Sequence, residues 1–444
     1  MGVTQDLQQT GGSPDQEGSF HTHRPGNDPG TGRPARVEIF YFDAGGGHRA
    51  AMLALKEALT ARNPHWHVVP VDLQKLLEPV DPIYRLTGRV TTPLRRVLTP
   101  IAPNVRFGPV QTQSIYNTAL KTGVTYGVGA ILPMLKLYIR RHAPRLEQEL
   151  RRHWAEPGSP RPDIVVSVIP NFNGVMFRAL RAVHAHVPYV TVMTDMVDCP
   201  PRFWMEDQDQ VIVCGTDRAL AQARATGFYD PANIVGVSGM MLGSRFYDLP
   251  AEPRLTRHEL GLSPDRPTAL IMFGGNGALV SERIVEKLRT FAPDVQTIVM
   301  CGRNRTLLRT LQGVAGCHAV GFVPNVADYM RLADFFIGKP GPGSISEAIH
   351  MGCPVIVQCN NATMPQERPN VDWVLNNGIG LSVRSFRRNI VDAVRTMTTD
   401  LERFRQAIRR NVRRNQAVFE VAALVERIAA APAATPAPAC EDAG

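Results

Sequence analysis

The stretch Gly338-Lys-Pro-Gly-Pro-Gly-Ser-Ile-Ser-Glu-Ala-Ile-His350 decides the fold of this chain. The apolar segment Phe335 to Ile337 before it predicts a strand, and an apolar helical face follows its glycine- and proline-rich turn. Ser344 has the chemistry of an N-cap and Glu347 stands three residues later, so we predict a capping box. Such a helix N-terminus attracts anions, because its free N–H groups point into the turn. The turn alone leaves a purely architectural role open, since strand–glycine–helix units are common.

A second apolar segment, Pro354 to Cys359, ends in a polar loop that contains Gln366, Glu367 and Asn370. Amide and carboxylate groups are suited to binding sugar hydroxyls. Because an anion-binding turn lies beside these groups, the stretch from Gly338 to Asn370 predicts a nucleotide-sugar site.

Length, composition and charge limit the class of protein. The 444 residues suit two domains, and 44% hydrophobic with 20% charged residues is typical of a globular protein. No apolar run approaches the roughly 20 residues of a transmembrane helix. The seven cysteines are scattered without a CxxC pair, which favours reduced, cytoplasmic thiols over disulfides or a zinc site. A formal net charge of +9 favours an anionic partner: nucleic acid, anionic lipid or nucleotide.

The N-terminal half begins with a βαβ pattern. Strand-like residues 35–43 lead into the turn Gly45-Gly46-Gly47-His48, then into a helical pattern and a second strand at 65–72. The glycines allow backbone to approach a ligand closely where the first strand ends. A GxGxxG fingerprint is absent, so NAD chemistry is not expected.

Residues 81–155 interrupt this alternation with an apolar segment flanked by basic residues. Between Lys121 and Lys136 lie 14 uncharged residues, fewer than the roughly 20 that span a bilayer. Such a segment is typical of a membrane interface, with its cations on anionic head groups, and a buried helix between solvated basic turns is the open alternative. A nucleic-acid partner is not expected, since the region lacks a recognisable binding motif.

Further strands recur at helix-containing intervals, which predicts an α/β fold of two tandem Rossmann-like domains with parallel sheets. These strands cover residues 163–169, 189–193, 211–214, 234–237, 268–273, 295–300 and 319–322. The predicted division is a disordered arm (1–34), an N-terminal domain (35–237), a hinge (238–253), a C-terminal domain (254–388), C-terminal helices (389–431) and a disordered tail (432–444).

The two glycine turns and the stretch from Gly338 to Asn370 resemble those of the GT-B nucleotide-sugar glycosyltransferases. More narrowly, the chain is similar to the family of monogalactosyldiacylglycerol synthases, processive diacylglycerol glucosyltransferases and MurG. The resemblance covers roughly residues 35–430. Its most specific parts are Gly45 to Arg49, Thr194-Asp195, Gly274 to Gly277 and Gly338 to Asn370. Met364-Pro365 replaces the family's usual Pro-Gly before Gln366-Glu367.

The resemblance implies two domains facing a cleft, with a UDP-sugar in the C-terminal domain and a lipid acceptor, diacylglycerol, at the N-terminal one. It implies that Phe322 and the Val323 backbone border the uracil and that Glu347 binds the ribose. The other predicted donor-side residues are Gly274, Gly275, Asn276, Gly277, Arg303, Gly341, Gly343, Ser344, Gln366, Glu367 and Asn370. The turn Gly45, Gly46 and Gly47 is placed on the acceptor side.

An acceptor hydroxyl must lose its proton as it attacks the anomeric carbon. His48, a near-neutral base at a helix start, is the predicted base, and Asp195 either orients its imidazole or is the base itself. With one candidate base and no paired nucleophile, we expect inversion at that carbon. No metal cofactor is expected, because the sequence Asp207-Gln208-Asp209 precedes a strand and reads as a solvated turn.

Three other classes of protein stay open on these residues: a UDP-sugar 2-epimerase, a non-catalytic UDP-sugar-binding sensor and a basic nucleic-acid binder. The position of the charges disfavours the last of these. We expect a cytoplasmic protein that binds peripherally to the anionic inner face of the plasma membrane.

Overall fold

Two parallel β-sheets, each of six strands, form the framework of the protein. The computed structural model describes residues 33–43, 46–80, 128–275 and 277–431. Gly45, Asn276 and almost all of the predicted terminal arm and tail lie outside these ranges, as does the part of the basic insertion from 81 to 127.

The first sheet has the strand order β2-β1-β3-β4-β5-β6, and every pairing in it is parallel. Its strands are β1 (Arg36–Tyr41), β2 (His67–Asp72), β3 (Ile164–Ser167), β4 (Tyr189–Val192), β5 (Val211–Cys214) and β6 (Ile234–Gly236). The helices of this half are α1 (Gly47–Arg62), α2 (Leu73–Leu76), α3 (Val128–Ala155), α4 (Asn173–Val183) and α5 (Asp217–Thr226). Strands β3 and β4 are buried along their whole length, as expected for parallel strands covered on both faces.

The second sheet has the order β12-β11-β10-β7-β8-β9 and is also parallel throughout. Its strands are β7 (Thr268–Met272), β8 (Gln296–Gly302), β9 (Cys317–Gly321), β10 (Phe335–Gly338), β11 (Val355–Gln358) and β12 (Gly380–Val383). Its helices are α6 (Val280–Phe291), α7 (Arg305–Leu311), α8 (Val326–Arg331), α9 (Pro342–His350), α10 (Arg368–Asn376), α11 (Phe386–Thr399), α12 (Leu401–Asn411) and α13 (Ala417–Ala430).

Each sheet has one place where the strand order reverses. In the first sheet, β1 pairs with both β2 and β3; in the second, β7 pairs with both β8 and β10. Open α/β sheets bind ligands in the crevice outside the carboxyl ends of the strands at such a point. The loops that follow β1, β3, β7 and β10 are therefore the loops from which a site is expected.

Helix α13 connects the end of the chain to the first half of the molecule. Glu426 accepts hydrogen bonds from Arg62 Nε at 2.7 Å and Nη2 at 2.8 Å, and Asn63 donates to the same carboxylate. The Ser238 amide donates to Glu420 at 2.7 Å. The last helix thus packs on α1 of the N-terminal half although the second sheet precedes it in the chain.

The predicted α/β fold of two parallel-sheet units is confirmed, and the predicted strands differ from the observed ones by a few terminal residues. Strand β12 was not predicted, because the short segment Gly380 to Val383 carries only a weak strand pattern. The helical stretch expected from about residue 389 to 431 is divided among α11, α12 and α13. Within the described ranges, no helix is both long and apolar enough to cross a membrane.

Replacing Glu426 by Ala should lower the free energy of unfolding by about 2 kcal/mol, because it removes charge-assisted hydrogen bonds to Arg62 and Asn63 in a partly buried contact. Thermal and urea unfolding followed by circular dichroism would measure the change. Glu402→Ala is the matched control, since Glu402 pairs with Arg409 in an exposed position and its loss should leave the melting temperature nearly unchanged. Equal stability of the Glu426 variant and wild type would contradict the docking role of α13.

Candidate active site between the two sheets

The loop after β1 lies at the carboxyl end of the strands of the first sheet. Gly46 precedes α1 with φ +87°, in the left-handed region that glycine adopts without steric cost. Gly46 and Gly47 are both exposed, and a Cβ at either would meet no atom within 4 Å. The described part of the predicted acceptor-side loop therefore leaves its backbone open to a ligand.

His48, the second residue of α1, lies partly buried at the switch point of the first sheet. Its Nδ1 is 2.8 Å from the Val168 carbonyl oxygen and 3.0 Å from the Thr194 hydroxyl. Because a carbonyl only accepts, Nδ1 carries the proton and Nε2 holds the lone pair. Within the described residues, Val168 and Thr194 contact Nδ1, whereas Asp195 accepts a hydrogen bond from Trp204, so the orienting role of Asp195 stays a prediction.

The surroundings of His48 keep its imidazole neutral. The rings of Phe42 and Trp204 lie 6.5 Å and 6.1 Å from it, measured between centroids. Burial lowers the His48 pKa to about 4, against the opposing effect of the hydrogen bond to Val168. The imidazole is therefore neutral at physiological pH with its lone pair on Nε2, and its lowered pKa makes it a weaker base than an exposed histidine.

Asp195, at the end of β4, is buried beside Trp204, whose Nε1 donates to Oδ2 at 2.9 Å. Burial raises the Asp195 pKa to about 7; the Trp204 hydrogen bond opposes this, and the nearby charge of Glu367 adds to it. Glu367 belongs to the second half of the chain, and Lys339 from the same half acts on Asp195 with the opposite sign. The predicted catalytic residues are thus close to the predicted donor side.

A direct contact joins the loops that follow β4 and β11. The Cys199 thiol donates to the Pro365 carbonyl at 3.5 Å. Pro365 begins the short 3-10 turn Pro365–Glu367, which carries two predicted sugar-binding residues. The two halves therefore meet where the sequence predicted a cleft site.

The predicted capping box at Ser344 and Glu347 is wrong. Helix α9 begins at Pro342 with Gly341 as N-cap and has no side-chain cap, while the Ser344 hydroxyl donates to the Gly341 carbonyl at 3.2 Å. Proline fits the first helical position because its φ is fixed and its missing N–H would have no partner there. The first-turn N–H groups of Gly343 and Ser344 have no intrahelical acceptor, so anion binding at this helix start stays a prediction.

Lys339 was not among the predicted site residues. Its Nζ lies 3.0 Å from Glu367 Oε1, and the negative charge of Glu367 raises the Lys339 pKa above its usual value. A Cβ at Gly341 would lie 3.5 Å from Lys339 Cε, so the lysine stem runs beside the start of α9. A lysine directly after a buried strand and before a glycine turn was the available sequence signal, although basic residues in turns are common.

Gln366 and Asn370 lie buried on the same side of the cleft. Asn370 Nδ2 donates to the Pro340 carbonyl at 2.8 Å and so ties α10 to the loop after β10. Gln366 Nε2 lies 3.7 Å from the sulfur of Met364, which fills the position beside it. Among the described residues, Gln366 Oε1 and Asn370 Oδ1 have no hydrogen-bond partner. Buried acceptors of this kind are suited to ligand hydroxyls.

The predicted nucleoside side includes an exposed aromatic ring and a partly buried carboxyl group. Phe322 is 61% exposed, and the Arg303 guanidinium lies 4.5 Å from its ring centroid. Arg303 therefore lies over Phe322, which is predicted to border the uracil. Val323, the next residue after Phe322, is partly buried. Burial raises the Glu347 pKa to about 7, and the positive charge of Arg245 opposes this shift.

The second glycine turn approaches Phe322 closely. A Cβ at Gly275 would lie 3.8 Å from the Phe322 ring, and Gly274 has φ +83°. Gly277 has φ +62°, and a Cβ there would lie 2.2 Å from the Cys301 carbonyl oxygen. Only glycine fits at 277, so this turn can lie against the loop after β8.

Asp207 and Asp209 are exposed in a bend that precedes β5. The described residues contain no group of three or more His, Cys, Asp or Glu side chains arranged to hold a metal ion.

Comparison with known proteins identifies related sequences and folds. The family model described as "Glycosyltransferase family 28 C-terminal domain" matches residues 268–423. The Oryza sativa subsp. indica protein named "Probable monogalactosyldiacylglycerol synthase 2, chloroplastic" is 27% identical over 419 residues, which cover 91% of this chain and 82% of the relative. The Spinacia oleracea protein named "Monogalactosyldiacylglycerol synthase, chloroplastic" is 28% identical over 374 residues, 79% of this chain and 64% of the relative.

Solved structures show the same fold at low identity. The calicheamicin glycosyltransferase CalG4 matches with a TM-score of 0.53 and 16% identity over 89% of this chain and 98% of its own. Acinetobacter baumannii MurG matches with a TM-score of 0.50 and 12% identity over 89% of this chain and 100% of its own. Both neighbours share the fold of this chain, two parallel sheets with helices, which is the GT-B fold.

The His48 ring should titrate with a midpoint at about pH 4, because burial disfavours the imidazolium ion. Nitrogen-15 NMR of histidine-labelled protein would measure it, with a His48→Gln variant to assign the signal. The shifts near neutral pH should show the proton on Nδ1. A midpoint near the ordinary histidine pKa, or a proton on Nε2, would contradict the described environment.

Proposed function

We propose that this chain, a GT-B protein with a glycosyltransferase family 28 C-terminal domain, is an inverting, UDP-sugar-dependent hexosyltransferase. Monogalactosyldiacylglycerol synthases are among its homologues. Its acceptor is a membrane lipid, diacylglycerol, and its product a glycolipid. The proximity of the two predicted half-sites supports this proposal most directly. His48 contacts Thr194, and the adjoining Asp195 lies close enough to Lys339 and Glu367 of the other half for their charges to act on it. The names of the two relatives favour a transferase over a 2-epimerase.

In the proposed reaction, the acceptor hydroxyl oxygen attacks the anomeric carbon of the donor sugar. The hydroxyl proton passes to His48 Nε2 while Nδ1–H stays bonded to the Val168 carbonyl. The bond from the anomeric carbon to the β-phosphate oxygen breaks, and its electron pair stays on the departing UDP. A single displacement of this kind inverts the anomeric configuration, and the proton later leaves His48 for solvent.

The donor diphosphate gains negative charge as its bond to the sugar breaks, and a positioned cation lowers the energy of that state. We assign this role to Lys339 together with the first-turn N–H groups of α9. On this proposal the diphosphate is handled without a metal cofactor. Gln366, Glu367 and Asn370 hold sugar hydroxyls, and Glu347 holds the ribose.

We also propose that α3 and the preceding basic segment contact an anionic membrane surface. Arg140, Arg141 and Arg145 are exposed on α3, and Leu137 beside them is 67% exposed. Cations next to an exposed apolar side chain are suited to lipid head groups and the acyl boundary. Peripheral attachment at the inner face of the plasma membrane stays a prediction; the plant relatives are named as chloroplastic.

Purified protein incubated with diacylglycerol vesicles and UDP-galactose, UDP-glucose or UDP-N-acetylglucosamine should form a glycolipid with at least one donor, detected by mass spectrometry. His48→Ala should lower the rate of transfer by about 1,000-fold, because it removes the proton acceptor. His67→Ala is the matched control, since His67 is exposed in β2 away from the site and should keep wild-type activity. Absence of a glycolipid with all three donors would contradict the proposed function, and a fully active His48 variant would contradict the base.

Replacing Lys339 by Met should lower kcat by about 100-fold, because the diphosphate loses the cation that stabilises its developing charge. Lys339→Arg should recover part of the activity, since it keeps the charge. Lys287→Met, on α6, tests for a general effect of losing a surface lysine. Steady-state kinetics with the donor identified above would measure all three variants. An unchanged kcat for Lys339→Met would contradict a role of Lys339 in stabilising the diphosphate and would leave only its ion pair with Glu367.

A further inference from the structure

The 3-10 turn Ser244–Phe246 connects helices from both halves of the molecule. The Ser244 hydroxyl donates to Glu57 Oε1 of α1 at 2.6 Å. On the other side, His350 Nε2 at the end of α9 lies 3.0 Å from the Phe246 carbonyl, which can only accept. The turn therefore touches the helix that begins beside His48 and the helix that begins at the predicted diphosphate site.

Arg245, between these two contacts, reaches the predicted ribose carboxylate. Its Nη2 is 3.9 Å from Glu347 Oε1, and the guanidinium lies 5.3 Å from the Phe246 ring centroid. The guanidinium also lies beside Gly243, where a Cβ would be 3.5 Å from Nη1. The Glu347 side chain is 18% exposed and that of Arg245 45% exposed, so the cation covers a nearly buried carboxyl group from the solvent side.

The charges around Glu347 show why this arginine matters. Burial raises the Glu347 pKa to about 7, and Arg245 is the charged group that lowers it. His350, one turn later on α9, has its pKa lowered by burial, the Phe246 carbonyl opposes this, and Arg414 lowers it further. A neutral His350 brings no positive charge to Glu347. Among the described residues, the ionised state of Glu347 therefore depends on Arg245.

We propose that Arg245 is a positioning residue of the nucleotide site, which favours the ionised form of Glu347 and orients its carboxylate toward the ribose hydroxyls of the donor. This inference rests on the proposed UDP-sugar donor. An ionised carboxylate accepts hydrogen bonds from two neighbouring hydroxyls, whereas a protonated one uses part of that capacity for its own proton. Because Arg245 lies in the turn between α1 and α9, ribose binding depends on the position of the segment that links the two halves.

The sign of the expected pH dependence follows from the Glu347 pKa. Ribose binding should strengthen as pH rises through about 7 in the wild-type protein, because Glu347 loses its proton there. Without Arg245 the pKa moves further up, so the same strengthening should occur at higher pH. At a pH well above both values Glu347 is ionised in either protein, and their preference for ribose should converge.

Isothermal titration calorimetry with UDP and 2′,3′-dideoxy-UDP tests this proposal without an acceptor. The ratio of the two affinities measures ribose recognition in wild type, Arg245→Met, Arg245→Lys and Arg254→Met. Arg254 is the matched control, since it also forms a 3.9 Å ion pair, with Asp328, and neither residue is a predicted site residue. Near neutral pH, Arg245→Met should lower the ratio about fivefold, as expected for an upward pKa shift of about one unit from about 7, and the ratio should recover at higher pH. Arg245→Lys should retain most of the ratio, and Arg254→Met should match wild type.

The outcomes separate this inference from the proposed function. If wild type binds UDP with a ribose preference that Arg245→Met leaves unchanged at every pH, the inference is overturned and the donor class stands. A fall in both affinities by the same factor, without a pH shift, would show a structural role only and would also overturn it. If wild type binds neither nucleotide, the proposed donor fails together with the inference. Melting temperatures confirm that each variant is folded.

Discussion

Parallel pairing of all strands within each sheet is the constraint on which the rest of this structure depends. Parallel strands end at a common edge, so the loops after β1 and β3 meet at one switch point and those after β7 and β10 meet at the other. The hydrogen bond from His48 to the Val168 carbonyl joins the first pair of loops. Lys339 and Gly274 belong to the second pair. The two pairs of loops thereby form the two halves of the candidate site.

Burial gives the polar groups at this junction their chemistry. It lowers the pKa of His48 and raises those of Asp195 and Glu347, in each case by disfavouring the charged form. Lys339 stays charged because Glu367 lies 3.0 Å away. In the proposed mechanism, the neutral His48 would accept the proton of the attacking hydroxyl and the charged Lys339 would stabilise the departing diphosphate.

Local patterns in the sequence predicted both sheets, since buried parallel strands read as apolar runs bounded by glycine turns. They also placed His48 and Asp195 at strand ends that the structure brings together. The start of α9 was misplaced because serine favours the N-cap while Pro342 favours the first helical position, and the second preference prevailed.

Lys339, Arg245 and the docking of α13 needed the structure, because each depends on a contact between residues distant in the sequence. Lys339 pairs with Glu367 and Arg245 with Glu347, while Glu426 binds Arg62 from the opposite end of the chain. A basic residue in a turn has no periodicity that reveals its partner. Long-range pairing of side chains is therefore the part of the site that sequence patterns could not supply.

The configuration of the new glycosidic bond distinguishes one displacement from two. In the proposed mechanism, one base, His48, and one displacement carry the sugar from UDP to the lipid. Proton NMR of the purified glycolipid, made from a UDP-hexose whose anomeric bond is α, reports the configuration through the coupling of the anomeric proton. A single displacement should give a β-glycoside. An α-glycoside formed by the wild-type protein would contradict single displacement.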